Sequence, residues 1–409
     1  MQRLIIIICL VIGMLTHGRL DVKAEWYLRP DTSGTCISAV KDTGINPYTL
    51  GIAGNWRPNR SYTYYSARKE SDATVSATDI RNEGAFASFI PFWNRRGSDN
   101  TLQPQADTTV WVWNSESTLF NTKGFELENK DPLGRYNAGQ YGYANTLPVA
   151  VTQNARYREA LFEGFEDYDF AANTDTVCAV ERNIDFGPYQ QNLDSNVAHT
   201  GKYSLLVDKN STVSVGAQVL SGDDAGFDFT INTGSLSCFP GAVLLKSIRA
   251  DGKVILPSFS PQAGKRMIVS VWVREQLECD CSSYSRSTLT VNTGTASVMA
   301  RPSGNIIEGW QQVTVLVDVP AGATTFSVVL SATGNSPVYF DDLRIHPYNA
   351  NMKSYVYDPV NLRLMAELDE NNYAAFYEYD DDGTLIRVKK ETERGVKTIT
   401  ESRSALIKE

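Results

Sequence analysis

The sequence predicts a mainly β protein. Hydrophobic residues make up 42% of the 409 residues, aromatic residues 11% and charged residues only 21%, a composition typical of a globular chain rather than a disordered one. Short runs of β-branched and aromatic residues recur between glycine, proline and asparagine turns, which is the pattern of β-strands. The length suits about two or three domains, and the pattern divides the chain into residues 1–24, 25–160, 161–347 and 353–409.

Residues 1–24 have the pattern of a secretory signal peptide. Arg3 precedes an apolar run of about 12 residues, too short to span a bilayer comfortably, and Val22 and Ala24 suit the cleavage positions. Cleavage removes a net charge of +2, so the mature chain changes from −9 to −11, which disfavours nucleic acid and anionic membranes as partners. No later stretch approaches transmembrane length, so we expect a secreted or cell-surface protein with no membrane insertion after signal removal.

Five cysteines remain after cleavage, an odd count that leaves at least one unpaired. Cys178 and Cys238 could each bridge to one of the pair Cys279 and Cys281, but the spacing does not choose the connectivity. Zinc is disfavoured, because the two histidines of the mature chain, His199 and His346, have no metal-binding spacing to that pair. Both histidines are expected in exposed loops.

Residues 25–160 are expected to form a β-rich domain of unknown function. Strand signals lie at 61–65 and 109–113, and Pro148 predicts the first turn of a short helix over 149–153. Glu126 and Glu128 would lie on one face of a strand, about 7 Å apart, so a glycan-cleaving enzyme with its site here is one alternative. A solvated strand edge is the preferred interpretation, since the sequence shows no deep-cleft scaffold.

Residues 161–347 have the pattern of a β-sandwich. Strands are predicted at 202–207, 267–274, 288–292, 311–317, 325–330 and 338–345. The long stretch 213–261 between the first two has the appearance of insertions.

The last of these strands places an acidic residue among apolar ones. On a period of two, Tyr339, Asp341, Leu343 and Ile345 share one face. A carboxylate beside the sandwich core would be unfavourable unless it is hydrogen-bonded or bound to a metal, so Asp341 suggests an oxygen-ligated ion, calcium above all. In the alternative, Asp341 lies at the rim of the sheet and caps a loop.

The strand at 267–274 offers a candidate ligand platform. Alternation places three valines on one face and Ser270, Trp272 and Arg274 on the other. A tryptophan with neighbouring polar groups can stack on a pyranose ring. Trp272 could equally be covered by the first domain or by the C-terminal segment. No nucleophile and base pair stands out in the sequence, so we expect a protein that is not an enzyme.

Residues 353–409 carry an internal repeat. Tyr355-Val-Tyr357-Asp358 returns as Tyr377-Glu-Tyr379-Asp380, a spacing of 22 residues, which is one strand-turn-strand unit. Two units are fewer than an array needs to stand alone, so the segment should dock on the sandwich or fray. The acidic run at 380–383 is interpreted as a charged hairpin turn rather than a calcium loop.

Several phrases resemble known families. The segments Gly164-Phe-Glu166, 198–205, 268–274, 309–313 and Phe340-Asp-Asp-Leu343 follow the order found in galactose-binding-like jelly-roll carbohydrate-binding modules. The tail resembles the YD repeats of Rhs-type bacterial surface proteins. Segments 128–136, 153–157 and 162–167 are similar to the terminal part of large secreted proteins of that kind. The first resemblance implies a structural calcium, held here by Glu166, the backbone near Gly201 and Lys202, and Asp341.

We therefore expect a secreted, non-catalytic bacterial surface protein that binds a glycan or a cell-surface component, with Trp272, Arg274 and Ser270 as ligand-binding residues. The first alternative is a structural end-piece of an Rhs-type shell without a glycan ligand, in which other Rhs-type chains are possible partners. The second alternative is the glycan-cleaving enzyme with its site in residues 25–160.

Overall fold

The structure, a computed structural model, describes residues 57–69, 74, 85–86, 88–96, 101–105, 109–121, 123–168, 170, 182–221, 229–236, 239–250, 259–276 and 282–402. The predicted signal peptide and the five cysteines that follow it lie outside these ranges. Across the ranges given, no helix has both the length and the apolar character needed to cross a bilayer.

The described residues are almost all β, which confirms the predicted fold class. Two 3₁₀ helices, Tyr157–Glu159 and Gly187–Asn192, accompany the strands. The strands are β1 Arg60–Tyr64, β2 Arg68–Lys69, β3 Ala85–Phe86, β4 Trp93–Arg96, β5 Thr101–Pro104, β6 Trp111–Phe120, β7 Glu126–Lys130, β8 Tyr136–Gly142, β9 Leu147–Gln153, β10 Leu161–Glu163, β11 Leu193–Asp194, β12 Ser204–Val207, β13 Thr212–Gln218, β14 Phe229–Leu236, β15 Phe239–Ala250, β16 Arg266–Glu275, β17 Ser287–Asn292, β18 Ser297–Ala300, β19 Gln311–Asp318, β20 Thr325–Ala332, β21 Val338–Pro347, β22 Asn351–Tyr357, β23 Leu364–Leu368, β24 Ala374–Tyr379, β25 Leu385–Thr392 and β26 Gly395–Glu401.

Strands from both ends of the chain form one antiparallel sheet, which we call the repeat sheet. Its order is β1-β6-β7-β8-β9-β22-β23-β24-β25-β26. The join is the pairing of β9 with β22, in which Gln153 faces Asn351 and Ala150 faces Ser354. The chain therefore leaves this sheet after β9, builds the sandwich, and returns beside the strand that it left.

The prediction of a short helix after Pro148 is wrong. Residues 147–153 form strand β9, whose burial alternates from Ala150, buried, to Val151, exposed, to Thr152, buried. Pro148 lies opposite Tyr141, where the register of the β8–β9 pairing shifts. A proline is accommodated at such an irregularity because a regular ladder hydrogen bond is not required of it.

One turn geometry recurs on both sides of the sandwich. Each turn begins with an Asn or Asp. The backbone N–H of this residue donates to the carbonyl of the residue four positions later, and its own carbonyl accepts the backbone N–H of the residue three positions later. Its side-chain oxygen accepts one or two further turn amides. The fourth position has positive φ and is Gly124, Gly134, Asn372 or Gly383, residue types that reach this region at low cost. The hairpin turn predicted at 380–383 is confirmed, and the same turn also occurs twice before the sandwich.

The sandwich consists of two antiparallel sheets. The inner sheet has the order β11-β12-β21-β16-β19, with β10 added beside β21, and the outer sheet has the order β13-β20-β17-β18. The six predicted strands of the sandwich are all present. Val269, Val271 and Val273 of β16 lie in the core between the sheets, as their alternation predicted. The stretch interpreted as insertions contains β13, an ordinary strand of the outer sheet, and the hairpin β14–β15.

The predicted alternation along β21 is wrong because the strand contains a β-bulge. Val338 and Phe340 lie in the sandwich core before the bulge, and Leu343 and Ile345 lie there after it. Asp342 has φ of 50°, and the register against β16 shifts at this point. Because one extra residue reverses the side-chain direction, Asp341 points away from the sandwich core.

The repeat sheet covers the face of the inner sheet that points away from the core. A second apolar cluster joins Phe162 of β10 to alanines and other apolar side chains of β9, β22, β23 and β24. The buried Arg344 of β21 donates to the carbonyl oxygens of Leu368, at 2.9 Å, and of Asp369. The C-terminal segment thus docks on the sandwich, through backbone carbonyls as well as apolar contacts.

Candidate functional site

The first candidate site is a buried group of carboxylates between the inner sheet and the repeat sheet. Glu166 Oε1 accepts the amides of Lys202 and Tyr203, both at 2.7 Å. Asp341 Oδ2 accepts the amide of His199 at 2.7 Å. Backbone amides of the turn before β12 therefore donate to both carboxylates that were predicted from the sequence as metal ligands.

Asp342, the residue of the bulge with positive φ, belongs to the same group. Its carboxylate accepts the Thr200 hydroxyl at 2.8 Å and lies 2.7 Å from Nδ1 of His199. Nε2 of His199 lies 3.2 Å from Glu391 of β25. His199 is therefore buried between two acidic partners, and the prediction of exposed loop histidines is wrong. His346 is buried as well.

The burial of these groups changes their protonation. Burial raises the pKa of Glu166 to about 8, against the two amides that favour its charged form. Burial raises the pKa of Asp341 well above its ordinary value, with further contributions from Asp342 and Glu166. Burial alone would lower the pKa of His199, but its hydrogen bonds to Asp342 and Glu391 outweigh this and raise that pKa to about 9. The site therefore favours added positive charge, whether a proton or a cation.

The predicted calcium ligands meet some requirements of a cation site. Oε2 of Glu166 is buried and has no hydrogen-bond partner, and Gly201, with φ of 64°, has no room for a side chain beside Glu166. Within the described part of the chain, no group of three or more His, Cys, Asp or Glu side chains is placed to hold a metal ion. The predicted set has only two carboxylates and relies on backbone oxygens for the rest, which calcium accepts.

The structure contradicts the prediction that the Trp272 ring is open for stacking on a sugar. Trp272 is only 1% exposed. Its ring stacks on His199 at 4.3 Å, meets Tyr373 edge-on, and its Nε1 donates to the carbonyl of Asn372 at 2.8 Å. The alternation that put it opposite the valines is correct, but the repeat sheet covers that face. Its edge borders a cavity of about 320 Å³, and no ring face is open for stacking.

The two other predicted ligand-binding residues share this covered face. Ser270 is buried and lies opposite Arg344 in the inner sheet. Arg274 is half-buried and borders a separate cleft with His199 and Trp310. The structure therefore brings the predicted ligand residues close to the predicted metal ligands, in an interface rather than on an open surface.

Glu126 and Glu128, the carboxylate pair of the alternative enzyme hypothesis, do not lie at a solvated strand edge. Glu128 is buried and accepts the amide of Tyr157 and the hydroxyl of Thr118, both at 2.8 Å. Burial raises the pKa of Glu128. Glu126 accepts the hydroxyl of Ser117 in β6 and, at 2.6 Å, Nδ2 of Asn129 in β7. Both carboxylates are therefore engaged in hydrogen bonds that connect β7 to its neighbours.

An open cleft of about 410 Å³ lies at the junction of the sandwich and the repeat sheet; we call it the junction cleft. Its walls come from residues 134–136, 154–156 with Glu159, 265–266 and 347–349. Tyr348, at the end of β21, is 56% exposed. Asn154 donates its side-chain amide to the carbonyl of Asn349 at 2.9 Å, which connects the two sides.

The junction cleft is not among the sites predicted from the sequence. Its signal in the sequence is Arg135-Tyr136 and Arg156, which occur in segments that resemble Rhs-type proteins, and Tyr348 after a proline. By volume the cleft falls within the range of about 300–1,000 Å³ typical of small-molecule sites. The cavity beside Glu166, at about 70 Å³, is well below that range.

Comparison with known proteins gives weak structural likenesses. No family model matches the chain, and no curated protein matches it. A solved structure described as a family 16 carbohydrate-binding module is 9% identical, with 37% of this chain and 82% of that chain covered and a TM-score of 0.21. The CBM22-1 xylan-binding domain from Paenibacillus barcinonensis Xyn10C is 11% identical, with 46% and 92% covered and a TM-score of 0.21. At these scores the likenesses carry no argument about what this chain binds.

Proposed function

We propose that this chain is a secreted or cell-surface, non-catalytic protein that binds a glycan in the junction cleft. The observation that carries the proposal is the composition of that cleft. The exposed phenol ring of Tyr348 lines this cleft together with Asn154, Asn349 and the arginines Arg135, Arg156 and Arg266. Sugar recognition uses this combination, since a ring stacks on the apolar face of a pyranose while polar groups meet its hydroxyls.

The buried carboxylates have a supporting role in this proposal. Calcium would be held by Glu166, the backbone near Gly201 and Lys202, and Asp341, and when bound it would supply the positive charge that these groups lack. Lys202 also pairs with Asp358 of the repeat sheet at 2.8 Å. Calcium at this point would thus stabilise the junction on which the cleft depends, without contacting the glycan.

Replacing Tyr348 with alanine tests the proposal. We expect wild-type protein to be retained on at least one immobilised polysaccharide of a broad panel, and the variant to bind about five- to tenfold more weakly, because a stacked ring contributes about 1 kcal/mol beyond its buried area. The matched control is Tyr65→Ala, which removes a tyrosine that is 61% exposed on another part of the molecule. Equal loss in both variants would contradict a site at the junction cleft.

A structural role is the second candidate, and one observation favours it. The Trp272 face of the sandwich, where the sequence placed the ligand, is covered by the repeat sheet. In this alternative the sandwich only organises neighbouring strands of an Rhs-type shell, with other Rhs-type chains as partners. Absence of retention across the whole panel, from a protein that unfolds cooperatively, would favour this role.

A further inference from the structure

We propose that the junction cleft selects acidic sugars, with a uronic acid carboxylate bound by Arg266 and its neighbours; this inference rests on the proposed glycan-binding function. The starting observation is charge. Arg135, Arg156, Lys265 and Arg266 line the cleft together with one carboxylate, Glu159. The whole chain has a net charge of −9, so four cationic groups around one opening are a local reversal that attracts anions.

The partners of these cations leave two of them accessible to a ligand. Lys265 is committed to the buried Glu159, at 2.7 Å. Arg266 instead pairs with Asp318 at 2.6 Å, in a bridge whose side chains are 53% and 71% exposed. Arg135 is 62% exposed, but its partner Asp131 is only 23% exposed and also accepts two turn amides. The pair of Arg266 and Asp318 is the exposed one, and exposed ion pairs contribute little to stability, so a ligand carboxylate can replace Asp318 at little cost.

The geometry favours a planar carboxylate on a sugar over a simple phosphate. The guanidinium of Arg266 lies 5.9 Å from the centre of the Tyr348 ring. The guanidinium of Arg156 lies 4.2 Å from the centre of the Tyr136 ring and donates to the hydroxyl of Tyr136 at 2.9 Å. A guanidinium fork binds a carboxylate or a phosphate through two parallel hydrogen bonds, so the groups beside it distinguish the two anions. The Tyr348 ring suits the apolar face of the same sugar, and Asn154 and Asn349 suit its hydroxyls. A bare phosphate has neither an apolar face nor a set of hydroxyls.

Calorimetric titration with soluble oligosaccharides tests this inference. The probes are trigalacturonate and its methyl ester, which has the same sugar backbone without the negative charges. We expect wild-type protein to bind the acid at least tenfold more tightly than the ester, since charge-assisted hydrogen bonds exceed neutral ones by about that much. The preference should fall as salt is increased. Hyaluronan and alginate oligomers extend the test to other uronates, and inorganic phosphate tests for a simple anion site.

Two variants at one ion pair give opposite expected results. Arg266→Ala should weaken trigalacturonate binding about tenfold, whereas Asp318→Asn, which removes the competing carboxylate, should strengthen it severalfold. A purely structural role of the pair would weaken binding in both. Arg394→Ala, at an exposed arginine in the turn after β25, is the control and should leave binding unchanged.

The outcomes separate this inference from the proposed function. Equal binding of the acid and its ester, or tight binding only to neutral polysaccharides, would overturn the inference and leave glycan binding intact. Phosphate that competes as strongly as the uronates would also overturn it. No binding of any acidic or neutral glycan would overturn both.

Discussion

Replacing Trp272 with alanine is expected to lower the free energy of unfolding by about 3–5 kcal/mol, the range for removing a large buried aromatic side chain. The ring is enclosed by His199 and Tyr373, and its loss also leaves the carbonyl of Asn372 without its donor. Urea unfolding followed by tryptophan fluorescence and circular dichroism measures the effect. Trp272→Phe, which keeps a ring but not the N–H donor, should cost about 1–3 kcal/mol.

The matched control for this change is Trp93→Ala. Trp93 is 59% exposed, so its removal should change stability by less than about 1 kcal/mol. If Trp272→Ala costs no more than Trp93→Ala, the sandwich and the repeat sheet are not packed together as described. Trp272→Phe should also retain the glycan affinity of the wild type, because the residue lies outside the junction cleft.

Calcium is expected to stabilise the protein more strongly as the pH rises. The pKa of Glu166 is raised to about 8 from 4.5, and that of His199 to about 9 from 6.5. Each group binds more protons in the folded state than in the unfolded state. Its contribution to stability is therefore complete below its unfolded-state pKa and is lost as the pH rises through its folded-state pKa. Without calcium, stability should therefore fall between about pH 4.5 and pH 9. Calcium takes the place of the proton on its ligand Glu166, so its effect should grow as the pH rises through the pKa of Glu166, about 8.

Thermal unfolding with calcium or with chelator, at pH 5 and at pH 8, measures this difference. We expect calcium to raise Tm on the order of 5 °C at pH 8, as for a ligand well above its dissociation constant, and by no more than about 1–2 °C at pH 5. Asp341→Asn should abolish the calcium effect, whereas Asp318→Asn, at an exposed carboxylate, should not. Equal Tm with calcium and chelator at pH 8 would contradict the calcium proposal.

Local pattern predicted the elements of the fold well. The valines of β16 and the six strands of the sandwich follow from alternation and turn residues, which act over a few neighbours. The direction of Asp341 could not be predicted, because one extra residue at the bulge reverses every later side chain. The sequence did identify Asp341 as buried, and the structure places it at 0% exposure, but in the interface with the repeat sheet.

Long-range pairing explains what the sequence left open. The contact of β9 with β22 joins residues on opposite sides of the whole sandwich, and no local pattern specifies such a partner. The same sheet brings Asn372 and Tyr373, in the turn between β23 and β24, over Trp272. The walls of the junction cleft also come from separate parts of the chain. A site built from such segments has no single motif, so Arg135, Tyr136 and Arg156 become meaningful only once the sheet is known.

Hydrogen exchange with and without a bound oligosaccharide tests the proposed binding site most directly. The ligand is the oligosaccharide whose polymer is retained most strongly by the wild-type protein. The proposal predicts slower exchange in peptides that contain residues 134–136, 154–156, 265–266 and 348–349, with no change in strands β13 and β20 of the outer sheet. Protection confined to the outer sheet, or to the segments around Trp272, would contradict glycan binding in the junction cleft.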